Sequence, residues 1–251
     1  MMKLFRFAIA LGLYAGAAVA QPPGPGPQGP ATAKAVAPHD ITGYWVAVVT
    51  EDWRYRMITA KAGDYPGINL TPAAQLVANA WDPAKDIAAG NVCKAYGAGG
   101  LLRLPTRLHI TWSSDNVLSI ETDAGKQKRL LKFGSAQDGA GAGAGTLQGV
   151  SKARWDLQRE RAFGPVVNGT LEVVTTQMAP GYVRKNGVPY GEGAKLTEYY
   201  ETVKEDNGEQ FLIVIANLED AANLAQPVLT STNFKREPDG KKWDPSECMA
   251  K

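Results

Sequence analysis

The sequence predicts a mainly β domain, an antiparallel sandwich or barrel with a short helix pair inserted after its first strands. Three observations predict it. Short segments rich in β-branched and aromatic residues follow one another from residue 41 to residue 236. Turn-forming clusters such as Ser113-Ser114-Asp115-Asn116 and Asp206-Asn207-Gly208 separate several of them. Helix-start signals are confined to residues 71–89, so strands must supply most of the architecture.

The chain opens with Lys3 and Arg6, an apolar run over 7–20, and Ala18-Val19-Ala20 before Gln21. A charged start, an apolar centre and a small-x-small end predict a cleaved signal peptide over residues 1–20. The run falls short of the roughly 20 apolar residues of a membrane span, and no later stretch is longer, so no transmembrane segment is expected in the mature chain. The expected location is secreted or periplasmic. Residues 21–39 are rich in Pro, Gly and Ala and offer little to bury, which predicts an extended tether. Residues 40–251 are long enough for a single domain with a sizeable core.

Loss of the leader would leave 25 basic and 25 acidic side chains. With no block of like charge, nothing points to nucleic acid or an acidic lipid surface as a partner. Oligomeric state is not legible. Cys93 and Cys248 are the cysteines, and in an oxidising compartment they are expected to form one disulfide; a reactive thiol or metal ligands are the alternatives. His39 and His109 lie at no ligand spacing from either cysteine, so no metal is expected.

Strands are expected over 41–50, 53–59, 106–112, 117–122, 128–133, 150–157, 170–176, 195–203, 210–218 and 228–236. Thr71-Pro72 and Asp82-Pro83 each set an N-cap residue before a proline suited to the first helical position. Ala74, Val77 and Trp81 recur at helical spacing, which predicts a helix that packs Trp81 on the sheet, followed by a second short one to about residue 89. Residues 134–149 alternate glycine and alanine and read as a mobile loop. They lack the strand–loop–helix context of a phosphate cradle, so no cofactor is expected.

Gly43-Tyr44-Trp45 near the start of the first strand resembles the G-x-W signature that opens lipocalin barrels. The resemblance implies an up-and-down β-barrel of eight strands, with the tryptophan closing one end and an arginine from the last strand packed over it. Arg236 matches that arginine. The helix pair at 72–89 departs from the family pattern.

Chemistry concentrates on three places. Glu51 would become a general acid or base if it shared the inward face of Trp45, since desolvation raises a carboxyl pKa; otherwise it is a turn carboxylate in water. In the hairpin 107–123, Leu108, Ile110 and Trp112 alternate with Arg107, His109 and Thr111, while Leu118 and Ile120 alternate with Ser119, Glu121 and Asp123. An odd-length loop keeps the apolar set together and places His109 and Glu121 on one face, as candidate catalytic groups. Arg107 is a candidate anion ligand there, and Arg129 joins them if the next turn is also odd. One face of an antiparallel sheet normally just meets water, and that is the competing reading of this face. Trp53, Tyr55 and Tyr199 are candidate ligand-binding aromatics.

These features support three functions: a barrel binding a small, partly apolar molecule in its interior, a cofactor-free isomerase or lyase using His109 and a carboxylate, or a cell-envelope interaction module.

Overall fold

A computed structural model describes residues 31–135, 143–162 and 164–250. The expected signal peptide, the tether up to residue 30 and residues 136–142 of the Gly/Ala loop lie outside the described residues. The chain order is β1 (Gly43–Val48), α1 (Trp53–Met57), α2 (Pro72–Asn79), α3 (Pro83–Ala88), a 3-10 turn at Lys94–Tyr96 and α4 (Ala98–Leu101). Then come β2 (Arg107–Ser114), β3 (Val117–Thr122), β4 (Lys128–Phe133), β5 (Val150–Arg159) and β6 (Val166–Thr176). A small hairpin, β7 (Gly181–Arg184) and β8 (Val188–Tyr190), precedes β9 (Lys195–Lys204), β10 (Gln210–Glu219) and β11 (Val228–Glu237).

Nine strands close a barrel in the order β1-β11-β10-β9-β6-β5-β4-β3-β2. Neighbours in the barrel are neighbours in the chain, except that the β7–β8 hairpin is left outside it. An odd number of strands cannot alternate direction all the way round, so one adjacent pair must be parallel. It is β4 with β5. Parallel neighbours need a crossover of a dozen or more residues, which is the place of the Gly/Ala segment 134–149. Its described end docks on the fold through the Thr146–Met178 bridge.

Alternation along the strands puts Trp45, Leu108, Ile110, Leu118, Ile120, Leu171, Leu212, Val214 and Phe234 in one fully buried cluster inside the barrel. At the end where β1 starts, Ala33 and Ile41 join this cluster, with Trp112 and Trp155 packed against it. The Trp155 indole donates to the Ala33 carbonyl at 2.9 Å, and the Ala33 amide donates to Asn116 at 2.8 Å. The last part of the expected tether thus lies over one barrel mouth, where Ala33 packs into the core and His39 meets Trp155 edge-on.

The opposite mouth carries a cap built from α1–α4 and the β7–β8 hairpin. A second apolar cluster joins Ala74, Ala78, Tyr190, Val183 and Met178 to Leu196, Leu218 and Val228 at the strand ends. Both helix starts form as their sequence demands. Thr71 Oγ1 accepts from the Ala74 amide at 3.3 Å, and Asp82 Oδ1 from the Ala84 amide at 2.9 Å. The buried face of α2 is Ala74 and Ala78, while Val77 is exposed. Trp81 lies against the Gly187 turn of the hairpin rather than on the barrel sheet, and donates to Asp86 at 2.9 Å.

Cys93 and Cys248 are bonded, with Cα atoms 5.1 Å apart and a sequence separation of 155. Closing so long a loop stabilises by about 4–5 kcal/mol in the chain-entropy picture. The bond ties the C-terminal tail to the cap, and Ser246 bridges Ala124 beside it. No described helix is long and apolar enough to cross a membrane.

Candidate functional site

Two facts about the capped mouth locate the site. The barrel interior beneath it is filled, and the cap above it is not. Inside, Arg129 is fully buried and gives Nη1 to Glu198 Oε1 at 2.8 Å, with Nη2 reaching Glu198 Oε2 and Thr175 Oγ1. Ser151 bonds Thr175 at 2.8 Å, and Tyr200 completes this polar layer above the apolar core. Burial and the Glu198 charge push the Tyr200 hydroxyl well above the usual phenol range. Buried side chains occupy these positions.

Above the rim, a half-enclosed cleft of about 220 Å³ opens between α1, the 66–68 segment, Arg103-Leu104, the end of β7 and residues 228–230 of β11. Its walls mix apolar groups (Ile68, Leu104, Val183, Val228, Leu229) with Asp52, Tyr55, Arg56, Arg103, Arg184 and Lys185. Arg56 is buried, with its Nε on the Arg103 carbonyl at 2.8 Å and its Nη1 on Glu51. Burial, then the neighbouring Arg103 charge, pull its pKa down to about 10. Arg103 binds Glu51 at 3.1 Å, Asp52 at 2.8 Å and the Ser231 carbonyl at 2.6 Å, stitching the loop after β1 to β11. Arg184 lies over the Tyr55 ring at 4.5 Å. Burial lowers the pKa of both Arg184 and Lys185.

No protein-family model matches the chain, and no curated protein or solved structure matches it. The lipocalin resemblance therefore rests on the barrel itself and on the end where β1 starts. There Arg236 lies over the Trp45 ring at 5.3 Å, and Trp45 is fully buried, donating to the Ile41 carbonyl at 3.0 Å. Nine strands and the cap depart from that pattern.

The residues singled out from sequence scatter over four environments. Tyr55 lines the cleft, and Glu51 stands behind it as the partner of Arg56 and Arg103. Burial would raise the Glu51 carboxyl, but the Thr50 hydroxyl and the two guanidinium groups outweigh it and hold the pKa below the usual value. The group is an ion-pair anchor rather than a protonated acid. Trp53, expected in a strand, starts α1 and is 60% exposed.

His109 and Glu121 are direct cross-strand partners, as the odd-loop register requires, with Nδ1 and Oε2 3.7 Å apart. Their face is the outer wall of the barrel. The Tyr44 ring stacks on His109 at 4.2 Å, Trp243 meets both edge-on, and Lys128 binds Glu121 at 2.9 Å, which lowers that carboxyl's pKa. Arg107 shares the wall, bonded to Glu237 at 2.9 Å. Arg129 does not join them: it pairs with Ile120, so it points inward, and Lys128 takes the outer position. Tyr199 faces outward and is partly exposed.

Arg56, Arg103, Arg184 and Lys185 were not singled out from sequence. They come from three separate segments, so no local spacing marks them. The available signal was the alternation of Arg54 and Arg56 with Trp53 and Tyr55, which also fits a strand.

Proposed function

We propose that this is a secreted or periplasmic barrel protein that binds a small, partly apolar molecule, and that the molecule sits in the cleft at the capped mouth rather than in the interior. One observation carries this reading: the half-enclosed cleft of mixed lining stands directly above an interior filled by Arg129, Glu198, Tyr200 and the apolar core. Binding sites are typically concave, with apolar walls and a few fixed polar groups, and the cleft is concave and carries both, with more charged groups than usual. His109 and Glu121 lie on the outer wall, away from the cleft lining, so the isomerase or lyase alternative draws less support from the geometry.

The test is occlusion. Thr230 lines the cleft at the barrel rim. Thr230→Trp should abolish binding of a small-molecule ligand found by thermal-shift screening, with far-UV circular dichroism unchanged. Undiminished binding in that variant would remove the cleft from the account. Export is tested separately by mass spectrometry of the exported chain, expected to begin at or near Gln21.

The interaction-module reading has its own observation. Trp53, Met57, Ile58 and Met249 are exposed apolar side chains on the cap, and the last three line one shallow surface. On that reading Ile58→Lys releases the protein from an envelope fraction while ligand binding persists.

A further inference from the structure

The cleft at the capped mouth carries more positive charge than its own carboxylates balance. Arg56, Arg103, Arg184 and Lys185 line it, against Asp52 in the lining and Glu51 behind it, which leaves two cations in excess. The excess can be assigned to particular groups. Arg103 is fully engaged, with Glu51, Ser231 and Thr232 on one nitrogen and Asp52 on another. Arg56 uses Nε and Nη1, but its buried Nη2 has no hydrogen-bond partner. Lys185 makes no ion pair or hydrogen bond among the described residues; its ammonium lies 5.9 Å over the Tyr96 ring. Arg184 gives one nitrogen to the Pro66 carbonyl at 3.1 Å and has no carboxylate partner among the described residues.

Partly desolvated cations without a direct ion pair are costly, and although Asp52 and Asp64 act on Arg184 from a distance, an anion in the cleft would relieve that cost through charge-assisted hydrogen bonds. Apolar walls stand beside these groups: Ile68, Leu104, Val183 and Val228. We infer that the cleft selects a small organic anion, a carboxylate or phosphate monoester on a short apolar body, with its head held by Lys185 and Arg184 and its body against those walls. The inference rests on the cleft being the binding site, and it adds the chemical class of the ligand. Burial lowers the pKa of Lys185, and it lowers that of Arg184 against the opposing charges of Asp52 and Asp64.

Isothermal titration of the full chain, with its disulfide intact, against hexanoate, hexyl phosphate and hexanol tests it. These probes share the apolar body and differ in the head. At least one anion should bind about tenfold or more tightly than hexanol, with affinity falling as salt is added. The stronger of the two identifies the head group. Lys185→Met should weaken that anion about tenfold and leave hexanol unchanged, as expected for loss of one charge-assisted contact. Because Lys185 sits at the hairpin turn, its unfolding midpoint should hold; Arg184→Met provides a second arm with the same expected loss. Equal binding of hexanol and both anions, or full anion affinity in both variants, would overturn the anion inference while leaving a small-molecule cleft standing. No binding by any of the three would overturn both.

Discussion

Gly43 adopts φ +111°, and a Cβ there would stand 3.3 Å from an Arg236 guanidinium nitrogen. Glycine at this position therefore serves both the backbone conformation and the close approach of the arginine that roofs Trp45. Trp45→Ala removes the largest buried side chain at this end and should cost about 3–5 kcal/mol in denaturant unfolding, as for other large aromatic truncations. A second residue-scale prediction concerns Glu51. Its folded pKa is depressed, so its stabilisation is fully present above the ordinary carboxyl value of 4.5 and is lost as pH falls through the lower folded value. Glu51→Gln leaves Arg56 without its charge partner. The gap in thermal midpoint between wild type and this variant should be widest near neutral pH and should close as pH is lowered past about 4. A constant gap down to strong acid would mean that packing, not charge, sets Glu51's contribution.

At the scale of elements, what was legible in the sequence was what local chemistry dictates. Thr71-Pro72 and Asp82-Pro83 fixed their helix starts, and the apolar alternation of Leu108, Ile110, Leu118 and Ile120 fixed the β2–β3 register. Residues 53–59 read as a strand because Trp53, Tyr55, Ile58 and Thr59 favour one; in the fold, α1 forms there instead, with Arg56 buried under Arg103 and Glu51. Tertiary ion pairing overrode a weak local preference. The β7–β8 hairpin and α4 escaped for a related reason. Ala98-Gly99-Gly100 is a poor helix by propensity, yet a Cβ on Gly99 would meet the Tyr190 ring at 2.7 Å, so the segment is chosen for contact with the hairpin. The inward turn of Arg129 was likewise invisible, because its partner Glu198 lies 69 residues away. Arg129→Met alone leaves Glu198 buried and unpaired and should cost about 3–5 kcal/mol, whereas Arg129→Met with Glu198→Leu should recover much of that loss. Chemical denaturation of the two variants makes the comparison. An additive loss in the double variant would show that the pair is not coupled.

For the whole molecule, the consequence is a barrel shut at both ends by different devices. Residues around Ala33 and Ile41 close one mouth, and the helical cap, held by the Cys93–Cys248 bond, covers the other. Inside, Arg129, Glu198, Thr175 and Ser151 pair with one another, and the unbalanced charge lies at the junction of cap and rim. On the proposed reading a ligand is accepted without emptying the core, at a cleft where five chain segments meet rather than on any one motif. That distribution is why the site was less legible than the fold. The most direct measurement is amide chemical-shift mapping of the labelled protein titrated with hexanoate or hexyl phosphate. Perturbations should cluster at Tyr55, Arg56, Arg184, Lys185 and Thr230, with Leu108, Leu171 and Tyr200 unmoved; shifts centred on those interior residues instead would place the ligand inside the barrel and overturn the cleft assignment.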